Sequence, residues 1–131
     1  MNPEATRWLK QSAEDLETAQ ILLESNRYGP CAFFCQQSAE KALRAAIYNA
    51  EERPWGHSVP SLLDQACAVL QIELDSAPLP EVEELDEHYI RPRYPDARLD
   101  IEADYSRETA ETALHCARAV QAFVVENLGH A

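Results

Sequence analysis

The sequence predicts an all-α protein, an antiparallel up-and-down bundle of about five helices. Two observations carry this. Apolar residues recur at three- and four-residue intervals over long stretches, and no segment alternates apolar with polar as a strand would. Gly and Pro fall at the ends of those stretches and between them, where turns belong. At 131 residues a single domain spanning 1–131 is expected, large enough to bury a core without crosslinks.

The first helix is expected over residues 4–25. Ala5, Trp8, Ser12, Leu16, Ala19 and Leu23 form its stripe, widened by Leu9, Ala13 and Leu22, while Lys10, Glu14, Asp15 and Glu17 fall outside it. Asn2 is the expected N-cap, with Pro3 in the first helical position. Asn26-Arg27-Tyr28-Gly29-Pro30 reads as a short turn, so the second helix returns antiparallel to the first.

The second helix, Cys31 to Ala50, organises the rest. One broad side carries small and apolar residues, among them Cys31, Cys35, Ser38, Ala39, Ala42, Leu43 and Ala46, which let other helices come close. The other side carries Gln36, Gln37, Glu40, Lys41, Arg44 and Tyr48, with Phe33 and Ile47 among them. A solvated face has no use for Phe33 and Ile47. This side is expected to be covered, by a second subunit through Phe33, Gln37 and Ile47, or by a neighbouring loop.

Pro54 and Gly56 interrupt the helical pattern. Ser58 is expected to cap a third helix running to about Gln71 and burying Leu62, Leu63, Ala66 and Leu70. Asp75-Ser76-Ala77-Pro78 begins a shorter fourth helix, with Val82, Leu85 and Tyr89 on one side and five carboxylates exposed. Pro92 and Pro95 hold the following segment out of regular structure. Ser106 caps a long final helix whose stripe runs from Ala110 to Leu128, and Gly129 ends it.

Composition narrows the function. A net charge of −12 argues against broad nucleic-acid binding, which needs neutralised phosphates, and no DNA contact is predicted. No apolar run is long enough to span a membrane, and the N-terminus has no signal-peptide pattern, so a cytoplasmic protein is expected. The four cysteines form no CxxC pair and read as small buried hydrophobes. Glu84–His88 and Glu111–His115 lack the spacing of a metal-carboxylate bundle, so neither a metal nor another cofactor is expected.

Against that acidic background, Arg91, Arg93 and Arg98 cluster with only Asp96 to oppose them, and Tyr89 and Tyr94 flank them. Guanidinium forks grip phosphate and tyrosine faces stack on bases. The same arginines could instead pair with Glu84, Glu87 or a carboxylate of a partner helix. Lys41 and Arg44, one turn apart, extend the basic surface, or Arg44 forms an ordinary pair with Glu40. His57 precedes a helix N-terminus, where it serves as donor, acceptor or base, or ties its own loop together.

Three ordered stretches carry a resemblance: CAFFCQQSAEKALRA in the second helix, His57-Ser58 before the third, and Arg93-Tyr94-Pro95-Asp96 after the fourth. Together they resemble HEPN domains, from about Trp8 to Leu128. The resemblance implies a homodimer and, as partner, a minimal nucleotidyltransferase in a toxin–antitoxin-like pair, with a nucleotide or RNA phosphate as ligand. HEPN ribonucleases carry an Arg, four to six residues, then a His. Here Arg107 and His115 are separated by seven residues, about 12 Å of rise and roughly 80° of rotation. Arg53 and His57 are separated by three. Three readings therefore stand: a binding module, a ribonuclease using Arg93 with His57 or His88, and a structural dimer without ligand.

Overall fold

The second helix occupies the centre. A computed structural model describes residues 1–89 and 105–128, the Tyr89 side chain excepted. The expectations for Arg91, Arg93, Tyr94, Arg98 and Gly129 lie outside the described residues. Five α-helices run α1 (Pro3–Glu24), α2 (Tyr28–Asn49), α3 (Val59–Leu70), α4 (Leu79–Asp86) and α5 (Arg107–Leu128). Short 3-10 turns at Leu74–Ser76 and Glu87–Tyr89 flank α4. No strand occurs among the described residues, as expected for an all-α bundle. None of the described helices is long and apolar enough to cross a membrane.

The caps follow the sequence closely. Asn2 Oδ1 accepts from the Ala5 N–H at 2.8 Å, Ser58 Oγ from Ser61 N–H at 3.3 Å, and Ser106 Oγ from Thr109 N–H at 3.2 Å. The second helix starts earlier than expected. Tyr28, Gly29 and Pro30 form its first turn, because a proline there loses no hydrogen bond. The turn is thereby reduced to residues 25–27.

Three helices end in the same backbone device. Asn26, Glu51 and Gln71 sit in the left-handed region, at φ 61°, 63° and 58°. The next residue's N–H then reaches back five positions: Arg27 to Leu22, Glu52 to Ile47, Ile72 to Cys67. This is the Schellman closure, and it satisfies carbonyls that would otherwise lack partners.

α1 and α2 lie antiparallel and close. Ser12 Oγ donates to the Ser38 carbonyl at 2.7 Å, and Ser38 Oγ donates to the Ser12 carbonyl at 2.8 Å. Both serines are fully buried, so each satisfies the other's backbone without water. α2 also packs on α3, α4 and α5, and the core runs along it through Cys31, Cys35, Leu43 and Ile47 to Val120 and Val124 of α5. All four cysteines are buried and free, as the sequence suggested.

Candidate functional site

Part of the polar side of α2 is buried within the subunit. Gln36 and Glu40 are 0% and 5% exposed, and Arg44 is 9% exposed. Such groups need partners, and they form a chain along successive turns. Gln37 Nε2 donates to Gln36 Oε1 at 2.7 Å, and Gln36 Nε2 to Glu40 Oε1 at 3.2 Å. Arg44 Nε then donates to Glu40 Oε2, also at 3.2 Å. Arg44 also donates to the Gly56 carbonyl and lies over the Trp8 ring, 5.8 Å from its centroid.

Trp8 is held in turn. It stacks on Tyr48 at 5.8 Å, and its Nε1–H donates to Glu4 at 3.1 Å. That bond, with the Arg7 guanidinium beside it, holds the Glu4 carboxyl below its ordinary value. Asp15, expected to face outward, is buried and paired with Lys41 Nζ at 2.6 Å. Gln11 Nε2 donates to its other oxygen at 3.0 Å.

The candidate residues therefore separate. Lys41 and Arg44 are engaged by acids of their own subunit. Ile47, 1% exposed, lies in the subunit core and is covered by its own chain. The face that carries Ile47 was expected to meet a second subunit or a loop, and for Ile47 the cover is intramolecular. Phe33 and Gln37 are half-buried on the same helix.

His57 is different. Its side chain is 63% exposed, while its Nδ1 lies 3.2 Å from Glu40 Oε2. Arg44 Nη2 lies 3.4 Å from the same nitrogen and also donates to the Gly56 carbonyl. The carboxylate only accepts. The contact with Glu40 is a hydrogen bond when Nδ1 carries the proton.

His88 follows α4. Val59 N–H donates to Asp86 Oδ1 at 3.2 Å, so the start of α3 is pinned to the last turn of α4. His57 lies two residues before that joint and His88 two residues after it. His88 is 1% exposed, and its Nδ1 meets the Tyr105 hydroxyl at 2.9 Å. Those two residues flank the connector that carries Arg91, Arg93 and Tyr94. Glu84, Glu87 and His88 bring potential ligand atoms within 4.8 Å of one another. A metal there would meet His88 through Nε2, since Nδ1 faces Tyr105, and among the described residues these three are fewer than a closed four-ligand set.

The HEPN domain profile matches residues 5–128. The chain belongs to the HEPN domain family. A protein of Methanocaldococcus jannaschii named "Putative toxin MJ1304" is 31% identical over 120 residues, covering 84% of this chain and 78% of the relative. The HEPN chain is also similar to the crystal structure of TT1696 from Thermus thermophilus. The TM-score is 0.83 at 34% identity, over 97% of this chain and 99% of that one. An HEPN domain protein from Thermotoga maritima gives 0.76 at 28% identity, over 95% and 99%. An archaeal HEPN homologue, ST0689, gives 0.77 at 27% identity, over 96% and 98%.

The sequence missed the depth of this HEPN polar chain. Asp15 carries no outward sign of burial, and Gln36 shows only that its face is covered. The available signal was their spacing: Gln36, Glu40 and Arg44 fall on one line at four-residue intervals.

Proposed function

We propose that this chain is a homodimeric binding module of the cytoplasm, the partner of a minimal nucleotidyltransferase in a toxin–antitoxin-like pair. Arg91 and Arg93 grip a nucleotide or RNA phosphate, Tyr94 stacks beside them, and Phe33 and Gln37 contribute to the dimer face. The toxin name of the archaeal relative supports the context. The observation that carries the binding role is the bond between His88 and Tyr105, which holds both ends of the arginine-bearing connector at one place. Closing a loop in advance lowers the ordering entropy that binding must overcome. Co-expression with the product of an adjacent gene tests the reading. A stable complex that Arg93→Ala weakens is expected, and the absence of any complex overturns it.

A second reading rests on Glu40 and His57. A buried carboxylate that fixes one imidazole nitrogen and leaves the ring largely exposed is an arrangement suited to general acid–base chemistry. Under this reading the chain is a metal-independent ribonuclease, with Arg93 on the phosphate and His57 moving the proton. Incubation with RNA in the presence of a chelator tests it. Cleavage abolished by His57→Ala supports it, and no cleavage removes it.

A further inference from the structure

The loop between α2 and α3 is held by three separate side chains at three consecutive residues. Gln65 of α3 donates from Nε2 to the Trp55 carbonyl at 3.1 Å and accepts the Trp55 N–H on Oε1 at 3.1 Å. Arg44 takes the Gly56 carbonyl, and Glu40 takes His57 Nδ1 at 3.2 Å. Gly56 itself has φ 77°, a conformation a side chain would strain. Pro54 fixes one more dihedral.

A backbone restrained this heavily ordinarily serves to bury something. Here it does the opposite. Trp55 is 67% exposed, more than any other large hydrophobic side chain among the described residues. Trp55 lines a groove of about 220 Å³ together with Glu52, Arg53, Ala68 and Val69. Arg53 is exposed, and among the described residues no carboxylate lies within ion-pair distance of it.

We infer that this groove binds a small planar aromatic monoanion, with the ring against Trp55 and the anionic group on Arg53. An exposed indole supplies a flat face for stacking, and a guanidinium matches a carboxylate in a two-point fork. The volume suits one or two fused rings and is below that of a drug-sized site. Charge selects further. Glu52 in the same groove repels a second negative charge, which favours one charge over a phosphate dianion. The chain's −12 repels any long polyanion, but beyond about 8 Å of salt solution that field is screened, and a small ligand feels chiefly Arg53.

The test uses the whole chain and its two indole N–H signals in a nitrogen–proton correlation spectrum. Trp8, stacked and bonded inside the fold, is the internal control, and Trp55→Phe assigns the other signal. Titration with 2-naphthoate should move the Trp55 signal saturably and leave Trp8 in place. Arg53→Ala, at an exposed position, should weaken binding about tenfold with the Trp8 signal unchanged. No shift of Trp55 by about millimolar naphthoate overturns the inference. So does equal binding of the neutral naphthalene-2-carboxamide, which would make the groove merely apolar. Tighter binding of adenosine monophosphate than of naphthoate also overturns it, in favour of a phosphate site.

Discussion

The Nδ1 of His88 and the hydroxyl of Tyr105 lie 2.9 Å apart, one at the end of α4 and the other just before α5. Their rings meet edge to face, 5.4 Å between centroids. The pair joins the two ends of the connector that carries Arg91, Arg93 and Tyr94. Removing the hydroxyl with Tyr105→Phe should cost about 1 kcal/mol, read as a lower urea midpoint with an unchanged m-value. If the clamp also presents the connector, the same variant weakens partner binding more than it weakens folding.

Lys41 and Asp15 form the second measurable pair. Asp15 is buried, so Lys41→Ala leaves its carboxylate with only Gln11 as a side-chain partner. A loss of about 2 kcal/mol is expected. The double change Lys41→Met with Asp15→Asn should recover part of it, because no charge is then left uncompensated. Thermal melts of the parent, Lys41→Met, Asp15→Asn and the double variant form the cycle that measures the coupling.

The seam between α1 and α2 tolerates little bulk. Ser38 is fully buried, and its hydroxyl is bonded to Ser12. Ser38→Leu should destabilise by about 3 kcal/mol, by forcing the helices apart and leaving the Ser12 carbonyl without its donor. Ser38→Ala, which only removes the hydroxyl, should cost less. Both variants lose the Ser38 hydroxyl, so equal losses would show that the hydrogen bonds, not the spacing, hold the seam.

Cys116 gives a pH dependence. Burial, then the Glu84 and Glu81 carboxylates, push its thiol up to about 11 from an ordinary value of 9.0. The unfolded chain therefore releases this proton at lower pH than the folded one. The associated stability is intact below pH 9.0 and is lost as pH rises through about 11. Urea midpoints between those limits should fall less steeply in Cys116→Ala than in the parent.

Much of the HEPN fold was legible in the sequence because its signals are local. Asn2, Ser58 and Ser106 announce helix starts through side chains that reach only three residues along the chain. The apolar stripes of α3 and α5 repeat often enough to outweigh any single exception. The first turn of α2 was not legible as helix, since Tyr28-Gly29-Pro30 carries the same residues a loop would. That Asp15, Gln36 and Ile47 are covered by their own chain was not legible, for a shared reason. Each residue's environment is set by a neighbour distant in sequence: Lys41 for Asp15, the packed elements around α2 for the others. Of the candidate site, His57 could be singled out by its place before α3. The acid that orients it, Glu40, sits 17 residues away and looked like half of an i,i+4 pair.

The Schellman closures described above leave room for gain. Two of the three left-handed positions, Glu51 and Gln71, hold side chains whose β-carbon crowds the following carbonyl. Nature commonly places glycine there, and Asn26 is the one tolerant residue of the set. Both positions are exposed and contribute nothing to the core. Glu51→Gly and Gln71→Gly should therefore each raise the melting temperature, by relieving about 1 kcal/mol of crowding. The molecule tolerates that tension at two of its corners, so an engineer can harden it without touching a single packed residue.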